Sequence, residues 1–328
     1  AVGYFAVWRK THGEMKSVAV LVLLGLAFGY LGIRNDGRIE LSGVAELARR
    51  NSNFGEMVVL QSTNQPRRFY FNDFLCQNGY DPVTKQSVHE FTYMLHGLAR
   101  AYTQKINNAL CIGLGVGIVP MLFAREGVKV DVVEINPAVV PLAKAYFDFD
   151  PSRVNVSIND GRHYLNRCRK KYDAVILDAF LGDSSPSYLM TREAFSAMHS
   201  VLRPGGTLVI NTFGDLESGH DYYTASLDKT LRAVFQSVKI HTADPTGNIF
   251  FVASDRPELT FLHEPTEANV YPAVARDVQT AFEEVLETDP ADGRVLTDDF
   301  NPVEFYDAAN RERIRRLLAL SMTGGLNQ

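Results

Sequence analysis

The sequence predicts an α/β protein whose main domain is built on a mostly parallel sheet of seven strands. Two observations indicate this fold class. From residue 106 to residue 255, short apolar runs typical of buried strands alternate with stretches of helical length. A glycine-rich turn follows the first of these strands, and the second strand ends in Glu134. Alternation of this kind gives parallel strands covered on both faces, with ligands bound beyond their carboxyl ends.

Short polar turns separate the strands and helices of this domain. The predicted strands span residues 109–112, 128–135, 154–158, 173–178, 207–211, 237–242 and 248–254. The predicted helices span residues 118–126, 138–147, 161–168, 191–202 and 221–234. Because only a short turn separates the last two strands, we expect them to form an antiparallel pair that closes the sheet.

Composition divides the chain into segments that precede and follow the sheet. The segments are an apolar N-terminal membrane segment and linker (1–50), a β-hairpin and helix subdomain (51–105), a nucleoside-binding domain (106–255) and a helical tail (256–328). In the subdomain, residues 54–60 and 67–75 alternate like strands around a polar turn, and residues 84–102 are predicted to form a helix.

The N-terminal segment contains an uncharged apolar run, residues 18–33, between Lys16 and Arg34. A spanning helix needs about 20 apolar residues, so the run is slightly short. We favour a membrane span, with a signal anchor and a buried helix as alternatives. The large domain is predicted to be membrane-associated on the cytoplasmic side.

The glycine-rich turn has the pattern G-x-G-x-G, formed by Gly113, Gly115 and Gly117. Glycines there let backbone approach a ligand, and the helix that follows offers unpaired N–H groups. The dinucleotide fingerprint needs Gly or Ala where this chain has Ile118. Glu134 is placed to accept hydrogen bonds from both ribose hydroxyls. The pattern favours an adenosyl-sulfonium ligand over a dinucleotide or an empty turn. It predicts the Rossmann-like fold of class I S-adenosylmethionine-dependent methyltransferases.

Polar residues follow the next strands at the same edge of the sheet. Asp160 and Gly161 follow the third strand, Asp178 follows the fourth and Asn211 follows the fifth. Asp160 is placed to accept a hydrogen bond from an adenine amino group, although an acidic residue before a helix also serves as its N-cap. Asp178 is expected near the middle of the cleft, beside the reacting carbon.

The charge balance and the scattered histidines exclude some classes of function. The net charge is −5, from 33 basic and 38 acidic residues, with no basic stripe. This argues against a nucleic-acid partner and suits a cationic substrate. We find no histidine or cysteine spacing typical of a metal site, so no metal cofactor is predicted.

Several motifs together resemble the spermidine synthase family of aminopropyltransferases, and in particular its membrane-fused bacterial branch. The resemblance covers residues 54–255, with a further match at 296–306. The motifs are DFLCQ (73–77), HE (89–90), IGLGVG (112–117), VEIN (133–136), DG (160–161), YDAVILD (172–178), RPGG (203–206), DAFLGDSSPSYLMTREAF (178–195) and LTDDFNP (296–302).

This resemblance implies transfer of an aminopropyl group from decarboxylated S-adenosylmethionine to a small-molecule amine. It places Glu134 at the ribose, Asp160 at the adenine, and Gln77 and His89 at the sulfonium side of the donor. Asp178 would hold and deprotonate the attacking amine, because an amine attacks only as the neutral base. It also implies a homo-oligomer or a membrane assembly. The remaining candidates on the amine side are Asp183 and Tyr188.

The chain departs from the family pattern at three positions. Val116 replaces the acidic residue that meets the donor's amine, and Val88 replaces a tyrosine. The second acidic residue expected after Asp178 is missing, unless Asp183 or the tail pair Asp298-Asp299 substitutes for it. Two alternatives therefore stay open. One is a methyltransferase that uses S-adenosylmethionine, and the other is a non-catalytic membrane-anchored module that keeps the fold.

Overall fold

The computed structural model describes residues 25–26, 43–73, 75–180, 185–217, 219–244, 247–265, 269–288, 293–306, 308, 311–313 and 316. The chain divides into two units, 1–42 and 43–328. Only Gly25 and Leu26 of the first unit are described, and both are helical. The predicted membrane run 18–33 otherwise lies outside the described residues. Within the described part of the chain, no helix combines the length and apolar character needed to cross a membrane.

The second unit begins with an antiparallel sheet of five strands in sequential order. The strands are β1 (Val44–Ser52), β2 (Gly55–Ser62), β3 (Arg68–Asn72), β4 (Leu75–Asp81) and β5 (Gln86–Ser87). Strands β2 and β3 form the predicted hairpin. Strand β1 escaped prediction because, as an edge strand with no fully buried residue, it shows no apolar alternation. The predicted helix at 84–102 begins only at Glu90, because Gln86 and Ser87 pair with β4 instead.

The larger sheet has eight strands in the order β13-β11-β12-β10-β9-β6-β7-β8. Its strands are β6 (Asn108–Ile112), β7 (Lys129–Glu134), β8 (Asn155–Ile158), β9 (Tyr172–Leu177), β10 (Leu202–Phe213), β11 (Ser237–His241), β12 (Asn248–Ser254) and β13 (Val285–Leu286). The helices are α1 (Glu90–Tyr102), α2 (Ile118–Arg125), α3 (Val139–Tyr146), α4 (Gly161–Arg167), α5 (Arg192–Ser200), α6 (Tyr222–Arg232) and α7 (Ala275–Glu283).

The pairing confirms the predicted α/β class with a mostly parallel sheet. Strands β6 to β10 all run parallel to one another. Strand β12 is antiparallel to both β10 and β11, as the short turn between the last predicted strands indicated. The additional strand β13 contributes two residues beside β11, too few to leave a periodic signal in the sequence.

Both faces of the larger sheet are buried, which is what a parallel sheet between helices requires. Along β6, Cys111 belongs to the buried cluster that includes Met94 of α1, whereas Leu110 and Ile112 belong to a second buried cluster that includes Phe195 of α5. This alternation fixes the register of the strand. The parallel pairing brings the carboxyl ends of β6, β7, β9 and β10 to one edge, where residues of β3 and β4 face them across a cavity.

Candidate active site

A cavity of about 320 Å³ lies at the carboxyl ends of the parallel strands. Its walls come from those strand ends and from β3, β4 and the beginning of α1. Eight of the predicted site residues line it: Gln77, His89, Gly113, Gly115, Glu134, Gly161, Asp178 and Tyr188. The structure therefore brings together side chains that are up to 111 residues apart in the sequence, as Gln77 and Tyr188 are.

Three predicted site residues do not line this cavity. Gly117 is the left-handed residue before α2, and a Cβ there would lie 2.3 Å from the Phe149 ring, so packing requires this glycine. Asp160 precedes α4 and is not among the residues that line the cavity. Asp183 lies outside the described residues. The ligand contacts assigned to these three residues stay predictions.

Glu134 is held by the backbone on both carboxylate oxygens. Its Oε2 accepts the N–H of Leu114 at 2.9 Å, and its Oε1 accepts the N–H of Asn136 at 2.7 Å. Burial raises the pKa of Glu134 in spite of these two bonds. Each carboxylate oxygen has a further lone pair. The arrangement suits a ligand with two neighbouring hydroxyl groups.

The glycines of the turn are required by close contacts within the protein. Gly113 has φ +97°, and a Cβ there would lie 2.1 Å from the carbonyl oxygen of Asp178. A Cβ on Gly115 would lie 2.8 Å from Oδ1 of Asn78 on β4. The predicted approach of a ligand to the backbone is therefore not needed to explain these glycines. The same glycines also let the ends of β6 and β9 and the five-stranded sheet come together.

Asp178 follows β9 and has a half-buried carboxyl group at the cavity wall. The Asn211 side chain at the end of β10 donates from Nδ2 to Asp178 Oδ1 at 2.9 Å. Burial raises the pKa of Asp178 to about 6, although the bond from Asn211 acts in the opposite direction. The rings of Phe180 and Phe213, with centroids 5.3 Å apart, also line this part of the cavity. A carboxylate that titrates near neutrality is suited to accept a proton from a bound amine.

Asp160 caps α4 and also holds a cavity residue. The N–H of His163 donates to its Oδ1 at 2.8 Å, so the N-cap alternative is confirmed. The hydroxyl of Tyr188 donates to its Oδ2 at 2.8 Å. Asp160 thus fixes the Tyr188 ring at the cavity wall, a role that its position before a helix did not indicate.

His89 and Gln77 line the side of the cavity formed by the five-stranded sheet and α1. Burial lowers the pKa of His89, which keeps its imidazole neutral. A neutral ring avoids repulsion with a positively charged ligand. The neighbouring Glu90 accepts a hydrogen bond of 3.1 Å from Nδ2 of Asn248, which itself lines the cavity.

Sequence reasoning missed cavity residues whose orientation depends on packing. Those with polar side chains are Tyr70, Asn72, Asn78, Asn136, Asn159 and Asn248. Tyr70, Asn72 and Asn78 lie on β3 and β4, and nothing in those strands indicates that they face a second sheet. Asp298 and Asp299 are not among the residues that line the cavity. Among the described residues, no group of three or more His, Cys, Asp or Glu side chains is placed to hold a metal ion.

The fold and the site together define a Rossmann-like α/β protein with a cavity at the carboxyl ends of its parallel strands. Residues 88–259 match the family model of the spermine/spermidine synthase domain. A polyamine aminopropyltransferase from Vibrio vulnificus is 32% identical over 233 residues, which cover 68% of this chain and 77% of that protein. The chain belongs to the spermidine synthase family.

Two further similarities describe how far the likeness extends. An N-terminal histidine N-methyltransferase from Emericella nidulans is 30% identical over 221 residues, which are 60% of this chain and only 38% of that protein. The crystal structure of a probable spermidine synthase from Corynebacterium glutamicum superposes with a TM-score of 0.59 at 19% identity, over 74% of this chain and 91% of that one. At 19% identity, this superposition supports the similarity of fold and nothing further.

Proposed function

We propose that the protein transfers an aminopropyl group from decarboxylated S-adenosylmethionine to an amine. One observation carries the proposal: a carboxyl group with a pKa of about 6, that of Asp178, shares one cavity with the backbone-held carboxylate of Glu134. The first is suited to a reacting amine and the second to a ribose. Membership of the spermidine synthase family and the activity named for the Vibrio vulnificus relative support the same reaction.

Each cavity residue has a defined task in this reaction. Glu134 binds the two ribose hydroxyls, and the Tyr188–Asp160 pair borders the adenine. Neutral His89 and Gln77 accommodate the sulfonium side of the donor. Asp178 orients the acceptor amine and accepts its proton. Because the sulfonium is already a good leaving group, holding the two substrates in line supplies most of the remaining acceleration.

The transfer step balances without a further reactant. The lone pair of the neutral amine attacks the carbon of the aminopropyl group that is bonded to sulfur. The new N–C bond forms as the C–S bond breaks, and its electron pair returns to sulfur. Methylthioadenosine leaves as a neutral thioether, and the positive charge moves from sulfur to the nitrogen of the product. The Asp178 carboxylate accepts one proton from the bound ammonium group before the attack, which makes the amine neutral.

Calorimetric titration of the full chain with decarboxylated S-adenosylmethionine, S-adenosylmethionine and methylthioadenosine tests the donor. We expect the decarboxylated form to bind more tightly than S-adenosylmethionine. A turnover assay with diamines and polyamines then compares the wild type with Asp178→Asn and with Asp277→Asn, an exposed control on α7. Loss of turnover only in Asp178→Asn supports the proposal. Donor binding without turnover for any amine would favour the non-catalytic module.

Methyl transfer from S-adenosylmethionine is the second candidate, and Val116 favours it. Val116 lies in the glycine-rich turn and is 1% exposed, so this position offers no charge to the donor's amine. The similarity to the Emericella nidulans N-methyltransferase is consistent with this reading. Tighter binding of S-adenosylmethionine than of its decarboxylated form in the same titration would decide for it.

We also propose that the N-terminal segment associates the protein with a membrane, with the large domain in the cytoplasm, and that the chain forms a homo-oligomer or joins a membrane assembly. The apolar run 18–33 supports the first part. Membrane fractionation with alkaline extraction tests it, and recovery in the soluble fraction would contradict it. Sedimentation in detergent tests the oligomer, which a monomeric mass would contradict.

A further inference from the structure

Tyr188 lies in a segment of the cavity wall, residues 185–192, which we call the wall segment. This segment contains the 3-10 turn Ser187–Leu189 and leads into α5. Its Tyr188 ring lines the cavity and donates its hydroxyl hydrogen to Asp160. One short turn gives little rigidity by itself. The position of Tyr188 therefore depends on what the wall segment binds.

The wall segment is bound by residues 293–304 near the C-terminus, which we call the tail segment. Asn301 donates from Nδ2 to the carbonyl oxygen of Ser187 at 2.7 Å, and Ser187 Oγ donates to Glu304 Oε1 at 3.1 Å. The N–H of Arg192 donates to the carbonyl oxygen of Leu296 at 2.8 Å. These contacts join the two segments at the start of the 3-10 turn and at the start of α5.

A charged link completes the connection. Asp298 accepts a hydrogen bond from Arg162 Nη2 at 2.9 Å and one from Thr191 Oγ1 at 2.6 Å. The other terminal nitrogen of Arg162, Nη1, donates to the carbonyl oxygen of Tyr188 at 3.2 Å. Arg162 thus connects the tail carboxylate to the backbone of the cavity tyrosine.

The tail segment is itself anchored to α6. The N–H of Leu296 donates to Thr230 Oγ1 at 2.9 Å, and the N–H of Arg294 donates to Ser226 Oγ at 3.1 Å. Leu296 and Val303 are buried in the core between the sheet and its helices. The tail segment is therefore a fixed support that crosses from α6 to the wall segment.

We propose that Asp298 and Arg162 are positioning residues for the nucleoside half of the cavity. They hold Tyr188 and its Asp160 partner in place before the ligand arrives, so that binding does not have to order the wall segment. The adenosyl identity of the ligand rests on the proposed function. The tail segment lies outside residues 88–259, the range matched by the family model, so the family domain alone does not supply this support.

Hydrogen exchange measured by mass spectrometry on the full chain tests the support without a ligand. We compare Asp298→Ala with Asp299→Ala, its exposed neighbour. In Asp298→Ala the amides of residues 185–192 should exchange at least about tenfold faster, while β9 and β10 stay protected. In Asp299→Ala the wall segment should exchange as in the wild type. Unchanged exchange of the wall segment in Asp298→Ala would overturn the proposal.

A double-mutant cycle tests the connection to the ligand. Asp298→Ala should weaken methylthioadenosine binding about three- to tenfold, because a partly exposed ion pair and one hydrogen bond are lost. In a Tyr188→Ala background the same substitution should have no further effect, since the two changes act through one element. An equal loss in both backgrounds would contradict positioning through Tyr188. If the wild type binds no adenosyl ligand but the exchange result holds, the proposed function fails and the support remains.

Discussion

Replacement of Asp178 by asparagine separates the chemistry of this carboxyl group from its contribution to stability. The variant side chain has nearly the same shape and still accepts a hydrogen bond from Asn211, whose Nδ2 lies 2.9 Å from Oδ1 in the wild type. What it loses is the negative charge and the capacity to accept a proton. A positioned general base contributes roughly 10²- to 10⁴-fold to the rate, which is about 3–5 kcal/mol of transition-state stabilisation. Turnover should fall by that factor.

In contrast to the turnover, the free energy of unfolding of Asp178→Asn should increase. Burial raises the pKa of Asp178 from 3.8 to about 6, so the folded protein disfavours the charged form. The unfavourable contribution is absent below the unfolded-state pKa and is complete once the pH has risen through the folded-state pKa. At 1.36 kcal/mol per pKa unit, the shift corresponds to about 3 kcal/mol. Asp178→Asn should therefore be more stable than the wild type by up to about 3 kcal/mol near pH 8, and by much less near pH 4.

Urea denaturation at these two pH values and initial rates at the higher one measure both effects. Asp173→Asn is the contrasting control. Burial acts to raise the pKa of Asp173, but Arg203 and two backbone N–H groups lower it overall. That carboxylate contributes stability above its unfolded-state pKa, so its loss should destabilise the protein near neutrality. An Asp178→Asn variant with turnover within about threefold of the wild type would refute the general-base role. An equal stability difference at both pH values would refute the raised pKa.

Three further outcomes follow from the site and the core. Glu134→Gln removes the negative charge that accepts hydrogen bonds from two backbone N–H groups and, in the proposed function, from the ribose. Methylthioadenosine binding measured by calorimetry should therefore weaken at least about tenfold. An unchanged affinity would contradict the assignment of Glu134 to the ribose. Gly113→Ala should lower the free energy of unfolding by about 3 kcal/mol, because the new Cβ clashes with Asp178 and the residue has a positive φ. Gly127→Ala, where φ is +83° and no atom lies within 4 Å of the new Cβ, should lower it by only about 1 kcal/mol. Equal losses in urea denaturation would show that the contact with Asp178 does not matter. Burial lowers the pKa of His241 to about 4, where Tyr102 and the Ala281 carbonyl hold the ring. An NMR titration of His241 should show that pKa. The stability that the neutral ring contributes should be present above pH 6.5 and lost as the pH falls towards 4. An unshifted titration would contradict burial as the cause.

Much of the fold followed from periodicity along the chain. Buried parallel strands leave continuous apolar runs, and the crossover helices leave amphipathic ones, so strands β6 to β9, β11 and β12 were predicted close to their observed bounds. Strand β10 begins at Leu202, earlier than the predicted start at residue 207, because Leu202 pairs with Tyr172 of β9. Strand β1 left no such signal, because its side chains are only partly buried and several are charged. The start of α1 was placed too early because Gln86 and Ser87 pair with β4, a contact that local propensity does not report.

Some features of the site, like some elements of the fold, were predictable from the sequence and others were not. Glu134 and Asp178 were predictable because they end strands, and the ends of parallel strands meet at one edge. The link between Tyr188 and Asp160 was not predictable, because it depends on how a turn is held against a helix end 28 residues earlier. Gly113 was recognised as essential to the turn, but the atom that demands it, the carbonyl oxygen of Asp178, lies just after the end of β9.

The sequence by itself determined the α/β class, the edge of the sheet that carries the cavity and two carboxylates, Glu134 and Asp178, that line it. These depend on spacing along the chain, which the geometry of strands and helices fixes. Only the tertiary structure decided that the five-stranded sheet forms one wall of the cavity and that residues 293–304 support another. Those contacts join segments far apart in the sequence, and they form only when the buried faces of helices and sheets pack together.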